Sequence, residues 1–122
     1  MPIDDKVLKY SVWISQNDVV GWVHEINLSL ESGASVYIAF PKQRPADWLQ
    51  FEGQNTNLFM TDEFKDVYHL LQTEPAVYFT GLDLEGLRAG VVYTALELSP
   101  GADSHPNSIA SMVRRARNKV KT

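Results

Sequence analysis

The chain has no cysteine, which excludes a disulfide framework, a thiolate nucleophile and any cysteine-based zinc site. That composition fits a reducing compartment. Histidine is scarce: His24, His69 and His105 are the only imidazoles, and no two of them are spaced as a helical or strand metal pair. Long apolar runs are missing as well. No charge-free stretch exceeds ten residues, too short for a membrane-spanning helix. The N-terminal MPIDDKVLKY carries two early acids and no apolar segment of the secretory kind. There is no Gly-x-Ser-x-Gly elbow and no glycine-rich phosphate loop, so nothing points to nucleophilic hydrolysis or nucleotide binding. The expectation is a cytoplasmic protein, not an enzyme, with no catalytic residue, metal, cofactor or membrane contact to assign.

Basic residues are scarce everywhere except at one end. Residues 1–113 hold six basic against fifteen acidic side chains, a net −9, whereas Arg114, Arg115, Arg117, Lys119 and Lys121 form a basic patch close to the C-terminus. An acidic body repels nucleic acid. No aromatic residue interleaves the basic patch to stack on bases, so nucleic acid is not expected as a partner.

Thr61 to Gly90 is the most informative stretch. Phe64, Val67, Tyr68 and Leu71 recur at i, i+3, i+4 and i+7, the stripe of a helix packed on one side. Thr61 or Asp62 can cap it, Asp62, Glu63 and Asp66 suit the positive end of its dipole, and Pro75 ends it. The following AVYFTGLDLEGLRAGVVYTALEL predicts a β-hairpin turning at Glu85-Gly86.

Before the helix, Leu8, Tyr10, Val12 and Ile14 alternate with Lys9, Ser11 and Trp13, the period of a half-buried strand. Trp13 alone breaks the polar side. Val20, Trp22, His24, Ile26, Leu28 and Leu30 fall on one face of a second strand, in which Gly21 marks a bulge or bend. Val36 to Phe40 is apolar on both faces. Trp48–Glu52 and Asn57–Thr61 are shorter candidates around the turn from Gly53 to Thr56. Residues 99–107 read as a connection, followed by a basic amphipathic helix over about 108–120 whose Ile109, Met112, Val113, Ala116 and Val120 share a face.

One domain over 1–122 accommodates all of this. The order of five strands, helix, two strands and helix predicts an α+β fold. We expect a mainly antiparallel, strongly curled or barrel-like sheet of about six to seven strands, one central helix at about 62–73, and the C-terminal helix.

Two surfaces compete for a role. Trp22, His24 and Tyr93 could line a ligand pocket inside a curled sheet, although His24 among apolar neighbours also reads as a core histidine bonded through one nitrogen. Trp13, with Ile109, Met112 and Val113 of the terminal helix, could instead form an interface with a second copy. That helix could equally dock on its own acidic body. Asp66 and His69, three apart on the first helix, could share a ligand or simply form a solvated face.

The segment EFKDVYHLLQTEPAVYFTGLDL, followed by LELSPG, resembles uncharacterised small bacterial proteins carried on the mobile gene cassettes of integrons. That resemblance implies a bacterial cytoplasmic accessory protein and transfers no functional residue. The leading expectation is a non-enzymatic interaction protein that self-associates, with a dimer favoured and a protein partner conceivable. A small-molecule binder with an aromatic cavity is the alternative, and an immunity or antitoxin-type protein binder a second one.

Overall fold

The computed structural model describes residues 2–84, 86–94 and 109–121. Strands β1 (Ile3–Ile14), β2 (Trp22–Leu30), β3 (Ser35–Pro41), β4 (Leu49–Glu52) and β5 (Asn55–Phe59) precede helix α1 (Phe64–Thr73). Strands β6 (Tyr78–Leu84) and β7 (Leu87–Tyr93) and helix α2 (Ile109–Lys121) follow. The α+β fold therefore has the element order that the sequence predicts.

All seven strands join one sheet in the order β4-β5-β3-β2-β1-β6-β7. Every neighbouring pair is antiparallel except β3 and β5, which run parallel because β4 lies outside β5 rather than between the two. The sheet curls until β4 approaches β7, so the barrel is nearly closed. At this seam β7 comes very near β5: a Cβ on Gly90 would sit 2.8 Å from Leu58 Cδ1. A side chain at this position would force Leu58 to shift. The seam is also held by Arg88, whose Nη1 donates to the Ala46 carbonyl at 3.1 Å. The guanidinium groups of Arg44 and Arg88 each lie 4.8 Å from the Trp48 ring centre.

Alternation explains what fills the barrel. Ile26, Leu28 and Leu30 of β2 and Val36, Ile38 and Phe40 of β3 point inward and are buried, joined by Leu58 and Phe79. The α1 stripe packs on them as its periodicity predicts, with Val67 and Leu71 buried and Phe64 and Tyr68 partly so. Burying one such side chain contributes about 1.5–3 kcal/mol, which holds a helix of ten residues too short to persist alone.

The α1 start differs from expectation. Neither Thr61 nor Asp62 caps it. Glu63 occupies the N-cap position without a side-chain cap bond, and Asp66 is the acid of the first turn. The Glu63 carboxylate instead accepts from the Thr61 backbone N–H at 2.8 Å, tightening the preceding turn. The helix end follows the proline rule, with Glu74 extended at φ −96° and ψ 136°. In the hairpin, Leu84 pairs with Leu87 across a two-residue turn whose Gly86 adopts φ +80°. The connection expected over 99–107 lies outside the described residues.

Helix α2 lies on the outer face of β1, β6 and β7. Ala116 is fully buried there with Leu82 and Ala89, and Met112, Leu84, Leu87 and Val91 pack around them. The barrel thus has a core inside and a second, smaller core under α2. Among the described residues, no helix is long and apolar enough to cross a membrane.

Candidate functional site

Strand β1 is built in two halves. Ile3 to Lys6 pair with β6, and the Val7 N–H extends that ladder to the Val77 carbonyl at 2.8 Å. A register shift between Val7 and Lys9 then inserts Leu8 as a bulge against β2. From there to Ile14 only β2 pairs with β1 among the described residues. The orientation of that half follows from one bond, the Ser15 N–H to the Val23 carbonyl at 2.8 Å. Antiparallel ladders alternate, so Lys9, Ser11 and Trp13 turn their backbone groups to β2. Tyr10, Val12 and Ile14 direct theirs away from it, along an open edge.

Large apolar side chains crowd this edge. Leu8 is 61% exposed, Trp13 60% and Ile14 70%, and Val19 in the β1–β2 loop is 89% exposed. The loop is held in shape by Asn17, whose Oδ1 accepts from the N–H groups of Val19 and Val20 at 3.0 and 2.9 Å. Its Nδ2 donates to the Trp22 carbonyl at 3.2 Å. The alternation of β1 predicted a face of Leu8, Tyr10, Val12 and Ile14 with Trp13 as the exception. The bulge takes Leu8 out of that face. Of the rest only Val12 packs into the core, while Tyr10 meets Tyr68 edge-on at 6.4 Å.

Trp22, His24 and Tyr93 are not brought together. A second register shift, between Trp22 and Glu25, turns Trp22 to the outer face, away from His24. There its Nε1 donates to Glu25 Oε1 at 2.7 Å and its ring meets Phe59 edge-on at 5.5 Å. His24 faces inward and stacks on Phe64 of α1, ring centres 4.3 Å apart. Tyr93 lies beneath α2, stacked with Tyr78.

Around Tyr93 the structure assembles a group that residue spacing does not reveal. Asp4 Oδ1 accepts from Thr80 Oγ1 at 2.5 Å and from the Tyr93 hydroxyl, while Arg117 Nε donates to Asp4 Oδ2 at 3.1 Å. Arg117 Nη2 also donates to the Tyr93 oxygen at 3.0 Å. The Asp4 and Arg117 side chains are only 12% and 17% exposed. Burial, reinforced by the Asp4 hydrogen bond and charge, pushes the Tyr93 phenol above its ordinary range. Donors surround the carboxylate and the group is covered by α2, so its chemistry is that of a clamp.

Comparison of the chain with protein-family models, curated proteins and solved structures finds no match. The site's own geometry must therefore carry the reading.

The terminal-helix residues divide. Val113 is 2% exposed and Met112 packs on the β6–β7 surface, so both are used within the chain, whereas Ile109 is 61% exposed. Arg117 belongs to the clamp; Arg114, Arg115 and Lys119 lie on the exposed side of α2. The Lys121 side chain lies outside the described residues. Among the described residues, no cluster of three His, Asp or Glu side chains could hold a metal. Partly open clefts of about 430, 340 and 210 Å³ lie among the described residues. The cleft of about 430 Å³ lies at the seam, between Trp48, Met60, Val91 and Met112 with Arg44 at its side.

Proposed function

We propose that this protein works by association, pairing the open edge of β1 with the same edge of a second copy to form a homodimeric interaction module. The observation that carries this reading is the backbone of Tyr10, Val12 and Ile14, which no strand pairs among the described residues, flanked by exposed Leu8, Trp13 and Ile14. An edge of that kind is a template for another strand. It is also self-complementary. Antiparallel pairing centred on Ser11 sets Leu8 opposite Ile14 and Lys9 opposite Trp13, so no like charges meet.

Magnitudes permit a dimer. Each large apolar side chain buried contributes about 1.5–3 kcal/mol, and a two-fold contact buries Leu8, Trp13 and Ile14 once on each copy. That is comparable with the roughly 4–15 kcal/mol that association costs. An aromatic cavity has less support, because its three expected wall residues occupy three separate environments. A cytoplasmic bacterial accessory role accompanies this proposal through the cysteine-free composition and the resemblance to cassette-borne proteins.

The test is the molar mass in solution of the chain and of a Trp13→Lys, Ile14→Lys double variant, since lysine on an edge blocks strand addition. The chain should weigh twice its 13.8 kDa and the variant should be a folded monomer. A wild-type monomer at millimolar concentration, or a dimer that survives both lysines, contradicts the proposal. A monomer that binds an edge strand of another protein would move the function to the immunity or antitoxin class.

A further inference from the structure

A second surface lies across the sheet from the core. The outer face of β2, β3, β5 and β4 is covered by neither helix, and strand register lines up its side chains in rows. One row crosses five strands: Ser11 opposite Asn27, Asn27 opposite Tyr37, Tyr37 opposite Asn57, and Asn57 opposite Gln50. A neighbouring row runs Ser29, Ser35, Asn55 and Glu52. On the other side lie Trp13, Glu25 and Phe59, with Trp22 turned onto the same face by its bulge. A cleft of about 340 Å³ opens over the amide rows, with Asn27, Tyr37, Glu52 and Asn57 in its lining.

A solvated sheet face does not need this composition. Asparagine is among the poorest strand formers, and threonine or a charged residue would serve better beside water. Asn55 Oδ1 accepts from the Ser35 hydroxyl and Gln50 Nε2 donates to Asp47, but two amides are left over. The side chains of Asn27 and Asn57 make no hydrogen bond to any described residue, although both are half-buried. Each therefore holds two donors and two acceptor sites toward the cleft. Between them, burial together with the hydrogen bond and charge of Glu25 pushes the Tyr37 phenol up to about 12, so its hydroxyl keeps its proton. These rows carry no cation beyond Lys9 at the β1 margin, and Glu25 and Glu52 are acidic, which turns away phosphates, sulfates and nucleic acid.

We propose that this face binds a neutral carbohydrate of one to two sugar units, its hydroxyls held by Asn27, Asn57 and Tyr37 and its apolar ring face laid against Trp22 or Phe59. Sugar hydroxyls donate and accept at once, as side-chain amides do, and an uncharged ligand meets no repulsion from the carboxylates. Aromatic rings supply the flat apolar surface on which the C–H face of a pyranose rests. The site is independent of the β1 edge, and its readout differs from molar mass, so the failure of one proposal is distinguishable from failure of the other.

The experiment is an NMR titration of the full chain, with side-chain amide resonances assigned, against maltose, cellobiose, N,N′-diacetylchitobiose and galactobiose. Glucose 6-phosphate serves as a charged control. At least one disaccharide should shift the Asn27 and Asn57 side-chain amides saturably in the millimolar range or tighter. Asn27→Ala and Asn57→Ala should each weaken binding about tenfold, the effect of one lost hydrogen bond, with backbone spectra elsewhere unchanged. Tyr37→Phe reads the same contact without removing the ring. No saturable shift with any of the four disaccharides overturns the proposal. So does tighter binding of the sugar phosphate, or affinity retained in the Asn27→Ala, Asn57→Ala double variant.

Discussion

The two halves of β1 share one strand and one alternating pattern, yet they meet opposite fates. From Ile3 to Lys6 the strand pairs with β6, the Lys6 carbonyl also accepts from the Glu31 N–H, and Asp4 is locked beneath α2 by Thr80, Tyr93 and Arg117. From Leu8 to Ile14 it pairs, among the described residues, with β2 alone, and Leu8, Trp13 and Ile14 stand in solvent. The strand's own residues do not decide this. Coverage does, because β6 and α2 reach the first half and stop.

Substitutions sharpen that contrast, and the largest effect belongs to the closed half. Asp4→Ala leaves the Arg117 guanidinium and two hydroxyl donors without their shared acceptor under α2, and should lower stability by about 3–5 kcal/mol in chemical denaturation. A loss below about 1 kcal/mol would mean that the clamp is ornamental and that the two halves differ little. Gly90→Ala comes next. Its Cβ would press on Leu58 at the seam, and overpacking of this kind destabilises by about 1–3 kcal/mol. A neutral result would show that β7 can move away from β5.

Titration probes the covered phenols. Tyr37 and Tyr93 are both held above the ordinary tyrosine range by burial and by a carboxylate neighbour, Glu25 and Asp4 respectively. A phenol whose folded value is raised contributes stability that is complete below its unfolded value of about 10 and is lost as pH rises through the folded value. Absorbance at 295 nm should therefore show two of the five tyrosines ionising late, and Tyr37→Phe should remove the step near 12. Ionisation of all five in one ordinary step would dissolve the argument. The smallest effect on stability belongs to the open half. Trp13→Ser should change it by no more than about 0.5 kcal/mol, measured on the monomer, while still weakening self-association.

Most of the architecture was legible because it is local. The α1 stripe, the break at Pro75 and the turn at Gly86 each rest on residues a few positions apart, and the element order follows from them. The faces of β1 and β2 were legible only up to their bulges. A shift of one residue at Leu8 and another between Trp22 and Glu25 inverts the alternation; Gly21 marks the neighbourhood of the second, and no residue nearby announces the first. Long-range partners were hidden for a different reason. Asp4 and Arg117 are 113 positions apart, and only the strand order that puts β6 beside β1 brings them together. Tyr93 was therefore singled out together with Trp22 and His24, which it does not meet. Its acidic and basic partners, both in plain view, carried no mark of pairing. The parallel contact of β3 with β5 arises in the same way, from where β4 is placed rather than from what β3 contains.

The dimer depends on backbone groups, so its most direct measurement is amide hydrogen exchange along β1 at two protein concentrations. The N–H groups of Lys9, Ser11 and Trp13, bonded to β2, should be protected equally at both. Those of Tyr10, Val12 and Ile14 should be protected at high concentration and exchange quickly on dilution, as a paired edge opens. Rapid exchange of these three at every concentration would mean that no strand pairs with the edge of β1, and the dimer would fall with it.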